Sequence, residues 1–166
     1  MVSEEELVNF LEDVLVDKLK FQTYRELAIT SKHLDLQRMI KQDQLRIDLA
    51  AIHQVDSSIY FFEAERELHI KHPAMYTKFC DYCYLVCPDD SFDSLPSETK
   101  RQQLSWAEDI GVGIITISKE GAVRQRLGAK QQDLSPEIRN EVFRMMNKRY
   151  RIRFSTLPLW KRSRKN

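Results

Sequence analysis

The chain has 166 residues, of which 42% are hydrophobic and 31% charged; 26 Lys and Arg stand against 25 Asp and Glu, for a formal net charge of +1. This is the composition of an ordinary soluble globular protein, and three cysteines, an odd number within eight residues, do not make a disulfide scaffold. No stretch approaches the roughly 18 uninterrupted apolar residues of a membrane span, and the acidic start Met1-Val2-Ser3-Glu4-Glu5-Glu6 has the character of neither a signal nor a transit peptide, so a cytoplasmic protein without membrane association is expected, with one domain over residues 1–154 and a basic tail over 155–166.

Ser3 with Glu6 forms a capping-box pattern, and Leu7, Phe10, Leu11, Val14, Leu15 and Leu19 follow at helical spacing, so a first helix is predicted here. Residues 24–29 read as a short strand. Residues 33–42 fit either a short helix or an ordered loop.

A β-hairpin follows. In its first strand Leu45, Ile47, Leu49 and Ala51 share one face, with Arg46 and Asp48 on the other; in its second, Ile59, Phe61, Glu63 and Glu65 share a face. The turn lies within residues 54–58. If it is centred between 55 and 56, Asp48 stands opposite Glu63; one residue later, it stands opposite Glu65. Directly opposed residues point to the same side of a sheet, so either register brings Asp48 to the acidic side chains. Like charges placed together repel, and a divalent cation is a functional way to offset that repulsion.

Pro73 suits the first turn of a helix carrying Met75, Tyr76, Phe79, Cys80 and Cys83 on one side. Residues 84–87 read as a buried strand stopping at Pro88, and 89–97 as a loop. A further helix runs to Ile110, with Leu104, Ala107 and Ile110 inward and Gly111 beyond its end. Residues 113–118 read as a strand, 119–122 as a turn, and Ser135-Pro136-Glu137 opens a last helix with Ile138, Val142 and Met145 or Met146 inward. Strand and helix alternating in this way favour a parallel portion of sheet covered by helices, which the front hairpin makes mixed.

Hard cations such as Mg²⁺ take oxygen ligands, often one or two carboxylates plus waters and phosphate oxygens. Asp48 and Glu63, with the backbone carbonyl of Ala64, make such a set. Arg46-Ile47-Asp48 followed by Tyr60-Phe61-Phe62-Glu63-Ala64-Glu65 resembles the core of the PD-(D/E)XK nuclease superfamily, an Asp on one strand and Glu-x-Lys on the next. The continuation through Tyr76-Thr77-Lys78-Phe79-Cys80-Asp81-Tyr82-Cys83, Pro88 and Ile110-Gly111-Val112-Gly113-Ile114-Ile115 is similar to the MmcB-like group of DNA-repair-associated proteins in that superfamily. The resemblance spans residues 24–146. It implies a single-domain restriction endonuclease-like α/β fold, with a mixed central sheet flanked by helices, and a Mg²⁺- or Mn²⁺-dependent site hydrolysing DNA. On this resemblance Asp48, Glu63 and the Ala64 carbonyl hold the metal, and Glu26 is an additional acid. Position 65 departs from the pattern: a glutamate stands where the family carries lysine and cannot supply its positive charge. Some restriction enzymes carry Glu in that slot, and on the resemblance Glu65 takes the altered third position as ligand or water-orienting base; alternatively Lys71 or Lys78, from the following helix, takes over the lysine's role.

His69, His72, Cys80, Cys83 and Cys87 fall within nineteen residues. Cys and His at this density could hold zinc, but the cysteines straddle an expected helix-to-strand boundary on apolar faces, where a free thiol packs as a small hydrophobe, and packing is the favoured reading. Residues 142–166 carry nine Lys or Arg and no acid, leaving 17 basic and 25 acidic side chains, a balance of −8, on the rest. Lys148, Arg149, Arg151, Arg153, Trp160, Lys161, Arg162, Arg164 and Lys165 mix cations with aromatics, suited to phosphates and unpaired bases; the same residues also suit a solvated helix end and a polar tail. Three readings follow: a metal-dependent nuclease acting on DNA in repair or processing, a silent nuclease-fold module binding nucleic acid or a DNA-repair protein, and a homo-oligomeric structural protein with an acidic interface.

Overall fold

The structure is a computed structural model and describes residues 2–30 and 44–155. The chain divides into two compact units, Met1–Leu27 with Arg46–Leu134, and Ala28–Leu45 with Ser135–Asn166. Six strands form one sheet in the order β1-β2-β3-β4-β5-β6: β1 Phe21–Thr30, β2 Gln44–His53, β3 Ile59–Ala64, β4 Tyr82–Pro88, β5 Gly113–Ile117 and β6 Val123–Leu127. β3, β4 and β5 are parallel, while β2 and β6 pair antiparallel to their neighbours, so the sheet is mixed. The helices are α1 Glu4–Asp13, continued by one π-helical turn Val14–Lys18, then α2 Lys71–Ala74, α3 Asp89–Asp93, α4 Ser97–Ile110 and α5 Pro136–Ser155.

The first helix forms where the sequence pattern puts it. The Ser3 hydroxyl accepts the Glu6 N–H at 3.2 Å and the Glu6 carboxylate accepts the Ser3 N–H at 2.8 Å, satisfying two N-terminal donors. Leu7, Leu11 and Leu15 pack on Leu49, Ala51, Phe62, Ala64, Val86 and Ile117, which line one face of the sheet. Leu19, placed on the same stripe by periodicity, is instead exposed. The reason is the π turn, whose Leu19 N–H bonds to the Val14 carbonyl, five residues back, and shifts the stripe out of phase.

The expected helix over residues 73–83 is a correction. Only α2 is helical; residues 75–79 continue as single turns, with the N–H groups of Met75, Tyr76 and Phe79 each bonding to a carbonyl three residues back. Cys80 lies beyond it and Cys83 is already in β4, which starts at Tyr82 rather than residue 84. The cause is Asp81, nearly fully buried: its backbone N–H donates to the Ile59 carbonyl at 2.9 Å and its carboxylate accepts the Ile59 N–H at 2.8 Å. Sheet bonding to β3 captures the chain there and ends the helical periodicity.

Other differences are smaller. β1 is ten residues long, longer than the expected strand over 24–29. The loop over 89–97 contains α3, and β6 was not expected from sequence because its pattern is largely exposed. In α4 Ala107 is buried, Leu104 half-buried and Ile110 exposed, and Gly111 closes the helix at φ 78°, a left-handed conformation that glycine adopts freely. The segment 33–42 lies outside the described residues. In the second unit, the Ser135 hydroxyl accepts the Ile138 N–H at 3.3 Å, and Val142 and Met146 of α5 are buried.

Candidate active site

The β2–β3 ladder pairs Leu49 with Phe62, Ala50 with Phe61, Ala51 with Tyr60 and Ile52 with Ile59. Continued by one residue, this register sets Asp48 opposite Glu63. The turn at 54–56 fixes it: the His53 N–H donates to the Ser58 carbonyl at 3.0 Å, the Ser57 N–H returns to the His53 carbonyl, and the Asp56 carboxylate accepts the Ser58 N–H.

Asp48 and Glu63 each bind the other's strand. The Asp48 N–H donates to Glu63 Oε1 at 3.3 Å, and the Ala64 N–H donates to Asp48 Oδ2 at 2.8 Å. Glu63 is 3% exposed, on a strand buried on both faces. It points away from α1, to the side that carries Phe61, Cys83 and Leu85, since β3 and β4 pair Phe61 with Cys83 and Glu63 with Leu85. The segment around α2 covers this side: the Cys83 thiol donates to the Pro73 carbonyl at 3.3 Å. Burial, reinforced by the neighbouring charge of Asp48, pushes the Glu63 carboxyl up to about 10. At neutral pH and without a cation, Glu63 therefore holds a proton.

Tyr76 closes the site. Its ring is buried, its hydroxyl donates to the Arg46 carbonyl at 3.2 Å, and burial together with the charges of Glu63, Asp48 and Glu65 raises its phenol above the ordinary value. One aromatic ring thus stands within the field of all three sequence-predicted carboxylates. They do not share one point, however. Glu65 is hydrogen-bonded to His72 Nδ1, and the His72 ring packs edge-on against Tyr76 with centroids 5.9 Å apart. Among the described residues, no three His, Cys, Asp or Glu side chains group closely enough to hold a metal ion. The arrangement is a pair of carboxylates, Asp48 and Glu63, with a carboxylate–imidazole pair, Glu65 and His72, beside the same tyrosine.

Glu26 joins from β1. Its carboxylate lies 3.8 Å from the Arg46 guanidinium, and it borders a pocket of about 390 Å³ together with Asp48, Glu4, Glu5, Val8 and Arg25. Its backbone is at φ 52°, a left-handed conformation that costs a non-glycine residue of the order of 1 kcal/mol or more.

Lys71 is on α2 and Lys78 in the turns after it; the side chain of neither makes a hydrogen bond or ion pair with any described residue. His72, which the sequence placed only in the cluster of His and Cys residues, is the partner that spacing missed: it lies seven residues beyond Glu65. His69 pairs with Glu67 at 3.2 Å on the surface. The three cysteines are buried thiols; Cys80 donates to the Tyr76 carbonyl at 3.4 Å. Lys148, Arg149, Arg151 and Arg153 fall on α5, while Trp160, Lys161, Arg162, Arg164 and Lys165 lie outside the described residues.

No family model and no curated protein matches the chain. Among solved structures it is similar to the SPO1766 protein of unknown function from Silicibacter pomeroyi, at a TM-score of 0.62 and 14% identity, over 92% of this chain and 89% of that one. At that identity the likeness shows a shared α/β fold.

Proposed function

We propose that this protein is a divalent-cation-dependent nuclease of the PD-(D/E)XK kind, with a restriction endonuclease-like fold and DNA as its substrate. One observation carries the reading: a buried carboxyl, Glu63, lies against a second acid, Asp48, on the neighbouring strand, with no cationic side chain among the described residues bonded to either. A purely structural protein gains little from such a pair, because burying a carboxyl costs free energy unless a partner offsets it. Two hard oxygen donors, with the Ala64 carbonyl adjacent, fit Mg²⁺ or Mn²⁺, which complete their shells with water and phosphate oxygens. When bound, such an ion polarises the phosphodiester and lowers the pKa of water. Around it, the protein's own groups have separate tasks. The mutual backbone bonds of Asp48 and Glu63 hold the two strands in register, Tyr76 keeps the inner side of the site dry, and Glu65 engages His72.

The second reading is a silent module of the same fold that binds nucleic acid or a repair protein. It is favoured by Glu65 in the lysine slot and by the lack of any bond from Lys71 or Lys78 to the described carboxylates. Calorimetric titration with Mn²⁺ and incubation with supercoiled, nicked and single-stranded DNA separate the two. The nuclease reading expects Mn²⁺ binding and strand cleavage, both abolished in Asp48→Ala and Glu63→Ala. Salt-sensitive DNA binding without cleavage supports the module. Neither binding nor cleavage, with a stable oligomer, overturns both.

A further inference from the structure

We infer that His72 is the proton-accepting catalytic residue of this site, oriented by Glu65 with its Nε2 left to take a proton from the attacking water. The inference rests on the nuclease reading above and assigns the one role that reading leaves empty.

The geometry is local and specific. The Glu65 carboxylate accepts from His72 Nδ1, so Nδ1 carries the ring hydrogen. In the neutral imidazole this leaves the lone pair on Nε2, which has no hydrogen-bond partner among the described residues. The His72 side chain is 46% exposed, so Nε2 is open to solvent, whereas Glu65 beneath it is only 20% exposed. A half-buried carboxylate that fixes one imidazole nitrogen while the other faces solvent is the orientation general-base chemistry needs. Tyr76 ties this pair to the acids: its ring contacts His72, and its hydroxyl bonds to the carbonyl of Arg46, two residues before Asp48. His69 offers a comparison. It too has a glutamate partner, but both members of that pair are exposed, at 64% and 78%.

The glutamate at position 65 then has a chemical meaning. A lysine there would stand at the site itself; the glutamate instead recruits a histidine from the next segment. In the step, water gives one proton to Nε2 while its oxygen bonds to phosphorus. The P–O bond to the leaving deoxyribose oxygen breaks, and that oxygen takes a proton from solvent. No electron is gained or lost.

Two measurements test this. Long-range ¹H–¹⁵N correlation spectra of the metal-free protein should show the His72 ring proton on Nδ1, held there by Glu65, and Glu65→Ala should move that proton to Nε2. Cleavage of DNA in Mn²⁺ by His72→Gln, a variant that should remain folded because the ring is half exposed, should slow on the order of 100-fold in kcat with little change in KM. Imidazole added to His72→Ala should restore part of the rate, which a merely structural histidine would not allow. A wild-type His72 protonated on Nε2, or an unchanged kcat in His72→Gln while Asp48→Ala is inactive, overturns this inference and leaves the nuclease reading standing. A wild-type protein that cuts nothing overturns both.

Discussion

Glu63 gives the fold a contribution to stability that depends on pH. In the folded chain its carboxyl is pushed up to about 10 by burial and by Asp48; unfolded, it returns to its ordinary 4.5. The folded state therefore holds one more proton between those values, and stability falls as pH rises through that window. Its contribution is fully favourable only below about 4.5. Glu63→Gln is isosteric with the protonated acid and carries no proton to lose. The variant should melt close to wild type at pH 4 and above it at pH 8 without added metal, as followed by circular dichroism. Parallel melting curves across pH would show that Glu63 is not held protonated. The opposition of Asp48 and Glu63 was legible in sequence because strand side chains alternate with a period of two and the turn at 54–58 leaves few registers. The pairing of Glu65 with His72 was not, because periodicity carries no information about a bond made across an irregular turn.

At the level of elements, two residues decide how β4 and β5 sit. A Cβ at Gly113 would run into the Tyr84 ring and lie 2.7 Å from the Ala129 N–H, which donates to the Tyr84 hydroxyl in the native fold. Gly113→Ala should cost about 1–3 kcal/mol through overpacking, a fall in Tm of about 2–4 °C per kcal/mol for a chain of this size. Asp81→Ala should cost a similar amount, since it leaves the buried Ile59 N–H without its acceptor, about 1–3 kcal/mol. Equal melting temperatures for variant and wild type would refute either account. Capped helices and apolar strands were readable: Ser3 with Glu6, the run 113–117 and Ser135 with Pro136 all appear where their chemistry places them. The short α2 was not readable, because an isolated helical period at 75–83 is overridden by the Asp81 bonds to Ile59, a tertiary effect. β6 carries Arg124, Gln125 and Arg126 on a strand with no buried residue, so no alternation announces it.

Across the whole molecule, the charge is divided rather than balanced. Nine basic residues and no acids lie in 142–166, against a balance of −8 elsewhere. If that segment neutralises phosphates in the proposed DNA complex, removing residues 156–166, with Lys161, Arg162, Arg164 and Lys165, should weaken DNA binding. It should also reduce the slope of log affinity against log salt by up to about 3–4, at roughly 0.7–0.9 for each phosphate that is no longer neutralised. An unchanged slope in fluorescence anisotropy would remove the segment from the interface. The three thiols flanking or lying within β4 add something of practical use. Cys80, Cys83 and Cys87 are sealed in the interior, and burial raises the thiols of Cys80 and Cys87 above their ordinary range. A colorimetric disulfide reagent can reach them only when the middle of the sheet comes apart, so their labelling rate is a built-in stopwatch for how often this protein breathes.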